Sequence, residues 1–187
     1  QINVDCNGAS TGSADVSASG GTPIAIGEAY TYSWSNGQST SSATGLSAGT
    51  YDVTVTDANS CAATASATVG EPSAITVGMM STDVSCNGGN DADAMAMPGG
   101  GASPYTYLWS NAQTAQTATG LSAGTYDVTV TDANNCTATA SVIISEPSLL
   151  TVTTMTTDVN CNGGNDGTAM AMENGGTSPY SYFWSDG

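Results

Sequence analysis

Between Thr125 and Thr131 apolar and polar side chains alternate without a break: Tyr126, Val128 and Val130 share one parity, Asp127, Thr129 and Thr131 the other. Period two marks a strand with one face in a core and one in water. No stretch carries apolar residues at helical spacing. Short runs rich in β-formers are instead bounded by Gly, Asn, Asp and Pro. The pattern predicts strands over 75–82, 93–97, 105–110, 115–119, 125–131 and 137–145. About six strands in so short a stretch point to a small β-sandwich.

The same alternation appears earlier, because A-T-G-L-S-A-G-T-Y-D-V-T-V-T-D-A-N stands letter for letter at 43–59 and at 118–134. Trp34, Trp109 and Trp184 keep the same 75-residue interval, as do Cys61/Cys136 and Cys86/Cys161. A period shared by aromatics, cysteines and turn glycines means one module copied in tandem. The copies fall at 1–73 (first strand missing), 74–148 (complete) and 149–187 (partial, stopping soon after its Trp). The expected fold is all-β: tandem immunoglobulin-like β-sandwich repeats of about 75 residues. Short Glu-Pro-Ser connections leave little room for a hinge, so the copies are expected to stack as a rod. Copy one carries an extra stretch, I-A-I-G-E-A at 24–29, read as a loop insertion before Tyr30 and the place to seek specificity. With strands missing at both ends, the chain reads as a window on a longer one.

All twelve aromatics lie in two motifs, Tyr-x-Tyr-x-Trp(-Ser) and Gly-Thr-Tyr. Strand spacing puts Tyr105, Tyr107 and Trp109 on one face. Trp34, Trp109 and Trp184 are expected in the core, with Tyr51 and Tyr126 as tyrosine corners whose phenols bond back to nearby backbone. A module this small has few other large apolar groups to fill its interior. An exposed aromatic platform for sugar rings is the competing reading. Met95/Met97 and Met170/Met172 alternate and are expected to face the core.

Five cysteines are odd in number, and the repeat resolves the parity. Cys6 is expected to pair with Cys61 and Cys86 with Cys136, leaving the partner of Cys161 beyond the chain end. Closing a loop of about 50 residues stabilises by about 4 kcal/mol in the chain-entropy account. Without a C-x-x-C motif or any histidine, zinc is not expected. Disulfides imply an oxidising, extracellular setting.

Charge narrows the chemistry further. There are 16 acidic residues and no Lys, Arg or His. No basic patch exists for nucleic acid or an anionic membrane, and no apolar run is long enough for direct membrane insertion. No histidine is present to shuttle protons or to activate a Ser or Cys nucleophile. No carboxylate pair recurs at catalytic spacing, so no enzyme is expected within this stretch and no catalytic or cofactor-binding residue is assigned. Scattered acids of this kind keep an exported surface soluble.

Some acids sit where they could meet calcium: Asp91 and Asp166 in N-G-G-N-D, Asp93 just beyond, and Asp132 in D-A-N-N. Calcium sites take several such oxygens together. Glycine-rich turns and a hairpin loop explain the same residues. No cofactor is therefore expected, with Ca²⁺ as the alternative. Asn135-Cys136-Thr137 fits a glycosylation sequon, but a disulfide cysteine at its centre argues against modification.

With C-N-G-G-N-D, G-G-x-S-P-Y-x-Y-x-W-S, G-L-S-A-G-T-Y-D-V-T-V-T-D-A-N-x-C and E-P-S in fixed order, the chain resembles the SprB-repeat family along its whole length. The resemblance implies a segment of a very large cell-surface filament or adhesin of gliding Bacteroidota, exported by type IX secretion. Its partners would be neighbouring copies of the repeat and external surfaces, polysaccharide among them. Copy one departs from the family's compact G-G-x-P-Y at G-T-P-I-A-I-G-E-A-Y. The function expected is a rigid, disulfide-locked adhesive spacer. A multivalent polysaccharide- or Ca²⁺-binding module, or an accessory domain of a secreted enzyme, are the alternatives.

Overall fold

The structure, a computed structural model, describes residues 1–22 and 30–185. The inserted stretch at 24–29 lies outside them. The described residues are all-β, with no helix. The strands are β1 (Gly12–Asp15), β2 (Thr31–Trp34), β3 (Ser42–Leu46), β4 (Gly49–Thr56), β5 (Ala62–Val69), β6 (Thr76–Ser81) and β7 (Ala92–Gly99). They continue with β8 (Thr106–Trp109), β9 (Thr117–Leu121), β10 (Gly124–Thr131), β11 (Thr137–Ile144), β12 (Thr151–Thr157) and β13 (Thr168–Asn174). The six strands expected between 75 and 145 are all present, with ends shifted by at most two residues.

Two compact units divide the chain. The first comprises Gln1–Thr76, Pro98–Tyr105 and Val130–Ala138; the second comprises Val77–Met97, Thr106–Thr129 and Thr139–Gly187. In the first, β2-β4-β5 form one antiparallel sheet and β1-β3 another. Their inner faces meet in one core of Trp34, Ala14, Ala43, Leu46, Val53 and Val69, with Val4 beside them. This is a sandwich packed around one indole. The strand sets β6-β7-β9 and β8-β10-β11 repeat the pattern, and β12-β13 form a hairpin of their own. Trp109, Leu121, Val128, Val130 and Ile144 are each buried, as are Ala92, Ala94, Ala96 and Ala118.

The alternation in β10 holds: Val128 and Val130 are buried, Tyr126 is half-buried and Asp127 is exposed. Along β7 the parity is opposite to the one expected. Ala92, Ala94 and Ala96 point inward at 0%, while Met95 and Met97 are 38% and 39% exposed. Met170 and Met172, at 61% and 40%, are exposed too. The physical reason is volume. In the first unit the wide Trp34 ring shares its core with Ala14 and Ala43, so small side chains fill the inward positions and longer ones face out.

Trp184 also departs from expectation, being 40% exposed where Trp34 and Trp109 are 3% and 1%. The indole N–H of Trp109 donates to the Ala115 carbonyl (2.9 Å), and that of Trp34 to Thr40 (2.8 Å). In both copies the acceptor lies six residues beyond the indole. Phe183, beside it, is 93% exposed.

Glycine has one specific task in the repeated block. Leu46 faces Gly12 and Thr44 faces Ser13, so Gly45 is the extra residue of a β-bulge, at φ +66°. Gly120, at φ +67°, does the same in β9. A bulge residue with positive φ favours glycine because it has no Cβ to clash with its own carbonyl.

Candidate functional site

Three local devices, each present in more than one copy, converge on the cysteines. The first is the turn that follows the leading cysteine. In Cys6-Asn7-Gly8-Ala9 the Ala9 amide donates to the Cys6 carbonyl (3.1 Å), with Gly8 at φ +74°. Positive φ at the third position makes this a type II turn and requires glycine there. Gly89 and Gly164 close the same turn on Cys86 and Cys161, each at 2.9 Å. The turn is fastened to the end of its own copy. The Gly8 amide donates to Glu71 Oε2 (2.8 Å) and Asn7 Nδ2 to the Pro72 carbonyl (3.1 Å). Gly88 and Asn87 bind Glu146 and Pro147 at 2.6 and 3.1 Å. The Glu-Pro-Ser connection is thus gripped, which sequence reasoning missed; its trace was that C-N-G and E-P both occur in copies one and two.

The second device is the hairpin loop before the trailing cysteine. Asp132 and Cys136 pair across it: the Asp132 amide donates to Cys136 O (2.9 Å) and the Asn135 amide to Asp132 O (3.0 Å), with Asn135 at φ +64°. The Asp132 carboxylate organises the loop. Oδ1 accepts the amides of Asn134 and Cys136 and Oδ2 accepts the amide of Ala102, all at 2.9 Å. Asp57 repeats the arrangement with Asn59, Cys61 and Thr22 at 2.9, 2.8 and 2.9 Å. These amides stabilise the charged form, so both carboxyls are held below the usual range, first by Thr22 for Asp57 and by Ala102 for Asp132.

The third device is a glycine pair held by a phenol. Tyr30 donates to the Gly20 carbonyl (2.7 Å), Tyr180 to Gly175 (2.7 Å), and Tyr105 to Gly100. All six glycines of these pairs have positive φ, between +61° and +84°. The Gly101 amide then donates to the Ser73 carbonyl (2.9 Å), and Gly176 to Ser148 (2.7 Å). The connecting segment that opens copies two and three therefore lies on that copy's glycine pair.

Within the first unit these devices come together, and the cysteines bond there. The disulfide among the described residues joins Cys6 to Cys136, 130 residues apart, with Cα atoms at 5.6 Å. The expected pairs Cys6–Cys61 and Cys86–Cys136 are not formed: Cys61, Cys86 and Cys161 are free and exposed. The physical reason is that each copy grips its own leading cysteine turn at its last residues, Glu71 and Pro72, where the chain passes into the next copy. Asn134 Nδ2 donates to the Asp5 carbonyl (3.0 Å), which sets the trailing hairpin of copy two beside Cys6. A leading cysteine thus meets the trailing cysteine of the following copy.

The calcium candidates do other work. Asp91 accepts the hydroxyl and the amide of Ser85, and Asp166 the amide and side chain of Asn160; both carboxyls are held below the usual range by those donors, the Ser85 hydroxyl first for Asp91 and the Asn160 amide first for Asp166. Asp93 lies on β7, where its amide donates to Thr82 Oγ1 (3.0 Å). Among the described residues, no three Asp, Glu, Cys or His are grouped to hold a metal ion. The aromatic positions divide in two. Tyr51 and Tyr126 are tyrosine corners, donating to Ser47 O and Ser122 O at 3.1 and 3.2 Å. Gln38 and Gln113, which sequence reasoning passed over, each clamp a backbone: Thr44 N and O at 3.0 and 2.8 Å, Thr119 N and O at 3.0 and 2.9 Å.

The SprB repeat, as a family description, matches residues 1–39, 80–114 and 153–187, together more than half of the chain. Curated proteins offer no match. A solved structure that is similar, described as "Structure of amphioxus IgVJ-C2 molecule", is 15% identical with a TM-score of 0.34. The alignment covers 76% of this chain and 99% of that one, a likeness too distant to argue from.

Proposed function

The chain belongs to the SprB-repeat family, whose members are repeat segments of cell-surface adhesins, and on that premise we propose that it serves as a stiff, disulfide-locked spacer in an extracellular adhesive filament. The observation that carries the reading is the Cys6–Cys136 bond, which crosses from one copy of the repeat to the next. Beside it, Glu71 and Pro72 fix the connection that would otherwise be a hinge. That Asp57, Asp91, Asp132, Asp166, Glu71 and Glu146 all accept backbone amides supports a structural use of the acids. The exposed aromatics Tyr182, Phe183 and Trp184 do not favour a sugar platform, because the equivalent Trp34 and Trp109 are core residues. Export, gliding and surface polysaccharide as the material contacted belong to this proposal as its biological setting.

Stretching single molecules by their ends tests it. With the bond formed, residues 7–135 contribute no length; reduction releases about 450 Å at roughly 3.5 Å per residue. A chain that lengthens by this amount before reduction is no locked spacer.

A further inference from the structure

Copy one presents the receiving half of a joint. Its glycine pair has the conformation of the others, with Gly20 and Gly21 at φ +84° and +63° against +71° and +61° for Gly100 and Gly101. Tyr30 holds it as Tyr105 does, and Asp57 ties it to the Cys61 hairpin through Thr22 as Asp132 does through Ala102. The surroundings differ. A Cβ on Gly100 would run into the Ala74 carbonyl, and one on Gly101 would stand 2.6 Å from Ile75 Cγ1. Among the described residues no heavy atom lies within 4 Å of that position at Gly20, and the three atoms nearest to it at Gly21 all belong to Asp57. Gly20, Gly21, Tyr30, Asp57, Cys61 and Ala63 instead border a groove of about 410 Å³. Cys61, free and exposed, is one of the residues that line it.

We propose that this groove and Cys61 receive another copy of the repeat. The incoming Glu-Pro-Ser segment would lie on Gly20–Gly21, and the incoming Cys-Asn-Gly turn would bond Cys61. The occupant is chosen by the surface at Gly100, Gly101 and Cys136, where those same elements, Ser73–Ile75 and Cys6, are seated in this molecule. Cys86 is the matching donor. Its turn is closed by Gly89 and gripped by Glu146 and Pro147 as the Cys6 turn is by Glu71 and Pro72. The rule is general: a leading cysteine bonds the trailing cysteine of the next copy, never that of its own. Two thiols lose two protons and two electrons in forming the bond. A small disulfide such as oxidised glutathione takes both and leaves as two thiols.

The inference deepens the spacer reading by naming what the spacer joins. Bond mapping tests the joint and stretching tests the spacer, so either can fail alone. The probe is the full chain with one more copy, residues 81–155, fused ahead of Gln1, which keeps the register. Both chains are oxidised with glutathione, alkylated and digested with pepsin at low pH. In the 187-residue chain Cys61, Cys86 and Cys161 are expected to alkylate. In the longer chain Cys61 is expected to be protected and found bonded to the added copy's Cys86. Cys61 still alkylated while Cys6–Cys136 is intact, or the added Cys86 bonded within its own copy, overturns the proposal. A second variant is independent of the fusion. In Cys136→Ser of the original chain, Cys6 is expected to remain a thiol; a Cys6–Cys61 bond there overturns the rule.

Discussion

Asp132 and Ala102 are joined across thirty residues of chain: the Ala102 amide donates to Asp132 Oδ2 at 2.9 Å, while Oδ1 holds the amides of Asn134 and Cys136. Such a carboxyl is easier to ionise in the folded protein than in the unfolded chain. Its stabilising effect is therefore complete above the unfolded value near 3.8 and is lost as pH falls through the lower folded value. Asp57, Asp91 and Asp166 act in the same direction. Asp132→Asn is expected to melt below the parent at neutral pH, with the gap closing below about pH 3.8. Thermal melts of both from pH 2 to 7 check this; a gap that widens in acid contradicts it.

The two tryptophans of unequal exposure predict unequal costs. Trp109→Ala should destabilise by about 3–5 kcal/mol, which would unfold a domain of this size or nearly so. Trp184→Ala should cost less than about 1 kcal/mol. Denaturant titration of each variant supplies the comparison.

Ala112 sits at φ +67°, where copy one has Gly37 at +88°. Ala112→Gly should stabilise by about 0.5–1 kcal/mol, since a Cβ in that region is strained. Gly120→Ala should do the reverse by about 1–2 kcal/mol. Its nearest neighbour would be the Asn90 carbonyl at 3.7 Å, so the penalty is conformational rather than steric crowding. Melting curves of the pair must move in opposite directions.

Tyr126→Phe removes the hydroxyl that bonds Ser122 O and should cost about 1 kcal/mol. Tyr51→Phe should match it, because the corner and its 17-residue block are the same in both copies.

Cys6→Ser opens a loop closed by a bond of sequence separation 130 and should cost about 5 kcal/mol in the chain-entropy account. Cys61→Ser should be neutral within about 0.5 kcal/mol. Comparable losses from both would mean that Cys61 is bonded after all.

Local pattern carried the strands and corners into view, since alternation, β-branching and Gly-Thr-Tyr act within a few residues. The inward parity of β7 did not show, because alanines and methionines are both apolar and only the width of the indole decides between them. The cysteine partners did not show either. Pairing Cys6 with Cys61 assumes that a copy closes on itself, whereas Glu71 and Pro72 carry the Cys6 turn to the place where the next copy begins. Sequence spacing is blind to that, because a 75-residue period is the same whether the bond lies within a copy or reaches the next.

The bond between Cys6 and Cys136 also changes what damage means. A protease that cuts once anywhere from residue 7 to 135 produces two fragments still tied by sulfur, so the strand is nicked without being severed. Enzymes that cut after lysine or arginine find no such residue in the chain. A molecule that stays in one piece after being cut outlasts one that must never be cut.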